Sequence, residues 1–214
     1  MKKLVCLVLA LAMCACAAAL AESVPSKTVS DLTRFEVVAE NQPDDVNIYL
    51  LPVTEATVGE QMPEYQERVE ACEKEIEKLA ECESVESYFG EVTDAEGNVV
   101  DLKALLGVEE DAVLNVFEFC PAIAGGFQED CGNVTANMLF STPYEEGEKV
   151  LVMIGLVTVL EDGTQEIVWQ VFEGVGLGAV TAENETYGGI QVELTPEIVT
   201  AIQEGTALMA VVSK

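Results

Sequence analysis

Apolar residues between Met62 and Cys82 recur at steps of three and four: Met62, Tyr65, Val69, Cys72, Ile76, Leu79 and Cys82. On a helix that spacing makes one apolar stripe along a Glu- and Lys-rich cylinder. Pro63 suits a first helical position, and Glu70 stands four residues before Lys74, the favourable order for a helical ion pair. The pattern predicts one long amphipathic helix. Packing on the chain's own sheet is the expected use of its stripe; docking a partner is the alternative.

Elsewhere the texture is that of strands. Phe35–Ala39 and Val46–Pro52 read as short strands split by the turn sequence 41–45. Val113–Cys120 reads as a strand closed by Pro121. After Gly126 come Val134–Ser141, Lys149–Leu160, Glu166–Glu173, Ile190–Leu194 and Ala207–Val212, with Asp162-Gly163 as a hairpin turn. Lys149–Leu160 is apolar at both parities, so both faces need a cover, and the striped helix is the candidate for one of them. Leu102–Leu106 makes a helical turn ending at Gly107. Thr195 caps a short helix opened by Pro196 and ended by Gly205. Short strands at these spacings predict a mainly β protein: an antiparallel β-sandwich over 115–214 and a smaller α+β part over 22–114 carrying the helix. The two parts are expected as one compact unit or two closely packed ones.

Lys2 and Lys3 precede an apolar run from Leu4 to Ala21 that ends in Ala19-Leu20-Ala21, the small-x-small pattern of a signal peptidase site. Residues 1–21 are therefore expected to be a signal peptide, and the protein to be secreted or at the cell surface. An uncleaved anchor, or lipid attachment at Cys14 or Cys16, are the alternatives. Loss of residues 1–21 removes two lysines and no acid, so the net charge of −29 becomes −31. Such a field repels nucleic acid and anionic membrane surfaces, and favours cationic peptides and divalent cations. A protein or peptide ligand, and a monomer or weak oligomer, fit that charge. Solubility alone also accounts for it. Half the residues are apolar, which argues for a folded core.

Gly147-Glu148-Lys149-Val150, the apolar run to Gly155, the Trp169 strand, and Leu194 to Ile198 through Gly205 to Leu208 resemble exported modules of Gram-positive gut bacteria. The resemblance covers residues 115–214 and implies an immunoglobulin-like fold and an exported location. Its residues are turn and core positions, and it implies no chemistry.

Four cysteines follow the leader: Cys72, Cys82, Cys120 and Cys131. An even count outside the cell makes them disulfide candidates, and their spacing is not that of a zinc knuckle. Ten residues of helix span about 15 Å, too far for Cys72 to reach Cys82. Cys120 and Cys131 then bridge each other or reach back to the helix.

The chain has no histidine, which removes Ser-His-Asp and Cys-His catalysis and imidazole-bound zinc. No carboxylate pair stands out as a glycosidase pair. No cofactor is expected. The one candidate metal site is for calcium: Asp94, Glu96, Asn98 and Asp101 alternate oxygen ligands around a turn, without the spacing of an EF-hand. A plain Asp/Gly turn accounts for the same residues. Gly174, Gly176 and Gly178 lack the βαβ setting of a dinucleotide site and read as a strand-connecting loop. The acidic loops holding Phe127, Glu129 and Asp130, and Tyr144, would form a ligand rim if one end of the sandwich gathered them. The reading that follows is a non-enzymatic exported interaction module. Docking of an envelope complex through the 62–82 helix comes second, and a carboxylate-dependent extracellular hydrolase third.

Overall fold

The computed structural model of the chain describes residues 32–43, 46–53, 63–140, 144–159, 165–182 and 185–214. The expected signal peptide, Asp44 and Asp45, Met62 and the Asp162-Gly163 turn lie outside the described residues.

Strands β1 (Leu32–Ala39), β2 (Tyr49–Pro52), β3 (Asn115–Gly125), β4 (Val134–Phe140), β5 (Lys149–Val159), β6 (Gln165–Ala182), β7 (Glu185–Leu194) and β8 (Thr206–Ser213) form one antiparallel sheet. Its order is β1-β4-β7-β6-β5-β8-β3-β2. The two end strands lie against each other without a hydrogen-bonded ladder, so the sheet is nearly closed into a barrel. This differs from the expected immunoglobulin-like sandwich of two facing sheets. Alternating side chains can fill the inside of a closed sheet as well as the gap between two, and local pattern does not distinguish them. The expected boundary at 114/115 also falls within one hydrogen-bonded unit, because β1 and β2 are the end strands of the sheet built by 115–214.

Two apolar clusters show how the sheet is used. The first lies on the inner face, where Val150, Val152 and Ile154 of β5 meet Phe172, Met209, Met138, Phe140 and Ile190. The second takes the opposite parity, Leu151 and Met153 of β5 and Leu208, Ala210 and Val212 of β8, and covers them with helices. Burial on both faces explains the unbroken apolar run of β5.

The cover consists of α1 (Pro63–Glu81), α2 (Val85–Phe89) and α3 (Leu102–Leu106). Cys72 and Leu79 of the α1 stripe are buried, and Ile76 packs beside them. α1 rests on β3, whereas α3 rests on β5. The stripe is thus spent on the chain's own sheet, and the cover of β5 comes from a different helix than expected. Tyr88, Phe89, Phe119 and Trp169 form an aromatic knot under these helices, with the Phe89 and Trp169 ring centres 4.8 Å apart and edge to face.

Local chemistry sets several ends. The Ser84 hydroxyl accepts from the Ser87 amide, and the Ser87 hydroxyl from the Ser84 amide, a reciprocal cap that opens α2. The Asp101 carboxylate accepts from the Ala104 amide and caps α3, which ends at Gly107 with φ 69°. Thr195 caps α4 (Pro196–Glu204) as expected. α4 adds Ile198, Val199 and Ile202 to the inner cluster.

Two expectations about strand ends are corrected. β3 runs through Pro121 instead of stopping there. Pro121 pairs in register with Leu208 of β8 and turns the side that lacks an amide toward β2, beyond the last ladder pair Pro52–Ala122, where no ladder bond is lost. The Pro121 carbonyl accepts from the Val53 amide at 2.8 Å. β6 likewise runs through Gly174, Gly176 and Gly178, which are strand residues and not a connecting loop. The 145–148 turn hydrogen-bonds to Gly176 on both sides, at 2.8 Å each. A Cβ at Gly176 would stand 2.1 Å from the Glu145 carbonyl oxygen, so close backbone approach explains this glycine.

Candidate functional site

β7 runs into α4 and β8 runs out of it, while the antiparallel order places β7 and β8 in opposite directions. α4 therefore crosses one end of the barrel. The same end holds the 40–48 connection, the start of β2 and the 126–133 loop. The 141–148 connection lies at the other end, because β4 separates the two loops. Seven residues of strand span about 20 Å.

This placement divides the expected ligand rim. Phe127, Glu129 and Asp130 are at the α4 end, and Tyr144 is at the opposite one. Phe127 is buried in the inner cluster, and its amide donates to the Gln203 side chain of α4 at 3.0 Å. Tyr144 packs its ring on Phe140. Only Glu129 and Asp130 are exposed as a rim residue should be. The single rim is a correction forced by the direction of β4, which sequence texture around the two loops does not reveal.

The α4 end has a consistent charge. Exposed Glu40, Glu129, Asp130, Glu197 and Glu204 all belong to its connections. The chain has no Lys or Arg between Arg34 and Arg68, between Lys103 and Lys149, or between Lys149 and Lys214, so these connections carry no base. The Asn41 amide donates to the Cys131 carbonyl, and the Asn133 amide to the Glu40 carboxylate at 3.1 Å, tying the 40–43 and 126–133 segments together.

An apolar surface adjoins that end. Val38 of β1 is 70 % exposed, and Tyr49 and Leu51 of β2 are 42 % and 38 % exposed. Their alternate neighbours Phe35, Ala39 and Leu50 face the inner cluster, so the three point outward. Leu51 stands opposite Ile123, which is half-buried, and Tyr49 lies over Gly125. The patch thus bridges the seam where the barrel closes without a ladder. Its signal in the sequence is ambiguous, because Val and Leu in a short strand read as core until the sheet order is known.

A concavity of about 310 Å³ lies between α2, α3 and the 110–114 segment. Lys103 crosses it, 2.8 Å from the Glu86 carboxylate and 2.7 Å from the Glu110 carbonyl. Burial pushes the Glu86 carboxyl up, but the bond to Lys103, a backbone hydrogen bond and the charge of Lys103 outweigh it and hold the group below its ordinary range. Here Lys103 ties two parts of the helical cover together.

Asp94, Asn98 and Asp101 of the four calcium candidates are otherwise engaged. Asp94 accepts from the Glu96 and Asn98 amides at 3.0 and 2.8 Å and from the Asn98 side chain. The Asn98 bonds come first among the causes that keep its carboxyl below its ordinary range. Asp101 is the α3 cap. Among the described residues no three His, Cys, Asp or Glu side chains are grouped to hold a metal ion.

Cys72, Cys82, Cys120 and Cys131 are all free thiols, and all but Cys82 are buried. Burial is the main cause that pushes the Cys72 thiol far above its ordinary range; Cys120, Glu73 and Glu75 add to it. A thiol so placed is a packing group and not a nucleophile. Glu118 and Ser213 are the buried polar residues among those described, and Glu118 is the one buried carboxylate.

No family model, curated protein or solved structure matches the chain.

Proposed function

We propose that the protein is an exported, non-catalytic interaction module that binds a protein or peptide partner at the α4 end of the barrel and the adjoining seam. The observation that carries this reading is the outward apolar patch of Val38, Tyr49 and Leu51. Exposed apolar surface gathered at one place is characteristic of contact surfaces. The other exposed valines, Val99, Val113, Val168 and Val175, are spread over separate segments. The exported location rests on the basic–apolar–small pattern of residues 1–21. Docking through the 62–82 helix has less support, since Cys72 and Leu79 of its stripe are buried in the chain itself. A two-carboxylate hydrolase also has less support, since Glu118 is the one buried carboxylate described.

Site-directed photocrosslinking in cells that make the protein tests the reading. A photoreactive side chain at Leu51 is expected to give discrete adducts with another polypeptide. One at Gln191, on the polar outside of β7, is expected to give none. Identical patterns from the two positions, or none from either, would contradict it.

A further inference from the structure

We infer that the partner docking at the seam is a basic, partly apolar polypeptide segment; this inference rests on the interaction reading above. Two features meet at this surface. Val38, Tyr49 and Leu51 offer apolar area that only an apolar group can use well. The α4 end beside them carries Glu40, Glu129, Asp130, Glu197 and Glu204 with no lysine or arginine in its connections. A partner segment of matching apolar character but negative charge would meet an uncompensated field of its own sign. A purely polar basic segment would leave the apolar patch unused. A segment mixing Lys or Arg with apolar side chains satisfies both, drawn in by charge and held by burial.

The seam also favours a polypeptide over a small cation. β1 and β2 are the end strands of the sheet, and no ladder joins them. An extended segment can lie across the outside of the seam and place alternate side chains on Val38 of one strand and Leu51 of the other.

The test uses three labelled peptides of alternating sequence, Leu-Lys, Leu-Glu and Ser-Lys, with the purified protein and fluorescence anisotropy as the readout. The Leu-Lys peptide is expected to bind most tightly, and to weaken as salt rises to about 0.15 M. Val38→Ser with Leu51→Ser is expected to weaken it about tenfold. Glu129→Gln with Asp130→Asn is expected to weaken it several-fold and flatten its salt dependence. A melting curve confirms folding of each variant; Val38→Ser alone, at the most exposed position, serves if the double serine variant melts early. Equal binding of Ser-Lys and Leu-Lys, indifferent to the serine variants, would mean attraction by net charge only and would overturn the inference. Equal binding of Leu-Glu, or no binding of any peptide, would overturn it as well. Crosslinks from Leu51 to an acidic segment would end this inference but leave the interaction reading standing. Peptide binding at the seam with no crosslinks in cells would end the interaction reading and, with it, the inference about a partner.

Discussion

Trp169→Ala is expected to lower the stability of the protein by about 3–5 kcal/mol, the range for losing a large buried aromatic side chain. Trp169 is 4 % exposed and sits at the centre of the outer cluster. Its ring meets those of Phe89, Phe119 and Tyr88, and it lies over Gly155 on the facing strand. The bare Gly155 leaves the room the indole occupies, so nothing on β5 fills the space once the ring is gone. The loss also strips the helical cover of its main anchor. Urea unfolding should show the lower midpoint, and amide exchange should quicken in α1 and α2 before the inner strands. Val168→Ala, at a neighbouring position that is 50 % exposed, should stay within about 0.5 kcal/mol of the parent. A loss at Trp169 no greater than that of the control would mean that the helices do not pack on the sheet as described.

The second large effect is expected at Gly126. Its φ is +80°, and a Cβ there would stand 2.1 Å from the Asn47 carbonyl oxygen and 3.3 Å from the Ile48 Cα. Those are backbone atoms just ahead of β2, so they cannot swing aside as a side chain would. Gly107 separates the two contributions, since its φ is +69° and nothing lies within 4 Å of its Cβ position. Gly107→Ala carries the left-handed backbone cost alone, about 1 kcal/mol. Gly126→Ala adds overpacking and is expected to total about 3 kcal/mol. It should also displace Tyr49 and Leu51, because β2 begins two residues after the clash. Equal losses at the two glycines would contradict the close approach of 47–48 to the 125–127 turn.

What could be read from the residues was local. The ends of α4 follow from Thr195, Pro196 and Gly205, and the end of α3 from Gly107, because capping chemistry acts over three or four residues. The two-sided burial of β5 follows from its composition, since both parities are apolar. Strand order was not readable in this way. The same alternation in β3, β4 and β7 serves one rolled sheet or two stacked ones, and the choice depends on pairings between residues as distant as Phe35 and Met138. α2 carries only a weak signal in the sequence, because Ser87 stands where a capping box more often has Glu or Gln. Pro121 and the glycines of β6 read as breaks by their type, yet the end of β2 beside Pro121 and an adjacent backbone segment beside Gly176 keep both within strands. The candidate site was legible by half. Glu129 and Asp130 stand in the 126–133 loop at the α4 end, whereas placing Tyr144 beside them requires the direction of β4, which the residues do not give. Val38, Tyr49 and Leu51 carry no mark of exposure, because the residues do not reveal that the cluster under the described helices takes in β3, β5, β6 and β8 but not β1 or β2.

Everything proposed for the seam depends on one continuous sheet whose two end strands meet. Interstrand nuclear Overhauser contacts between backbone protons measure this directly. The account predicts contacts along every neighbouring pair, including Val37 with Ala136, Gly176 with Ile190, Ala122 with Ala207 and Leu51 with Ile123. It also predicts side-chain contacts across the closure between β1 and β2. A pattern that breaks at two places, dividing the eight strands into two separately paired sets, would contradict it.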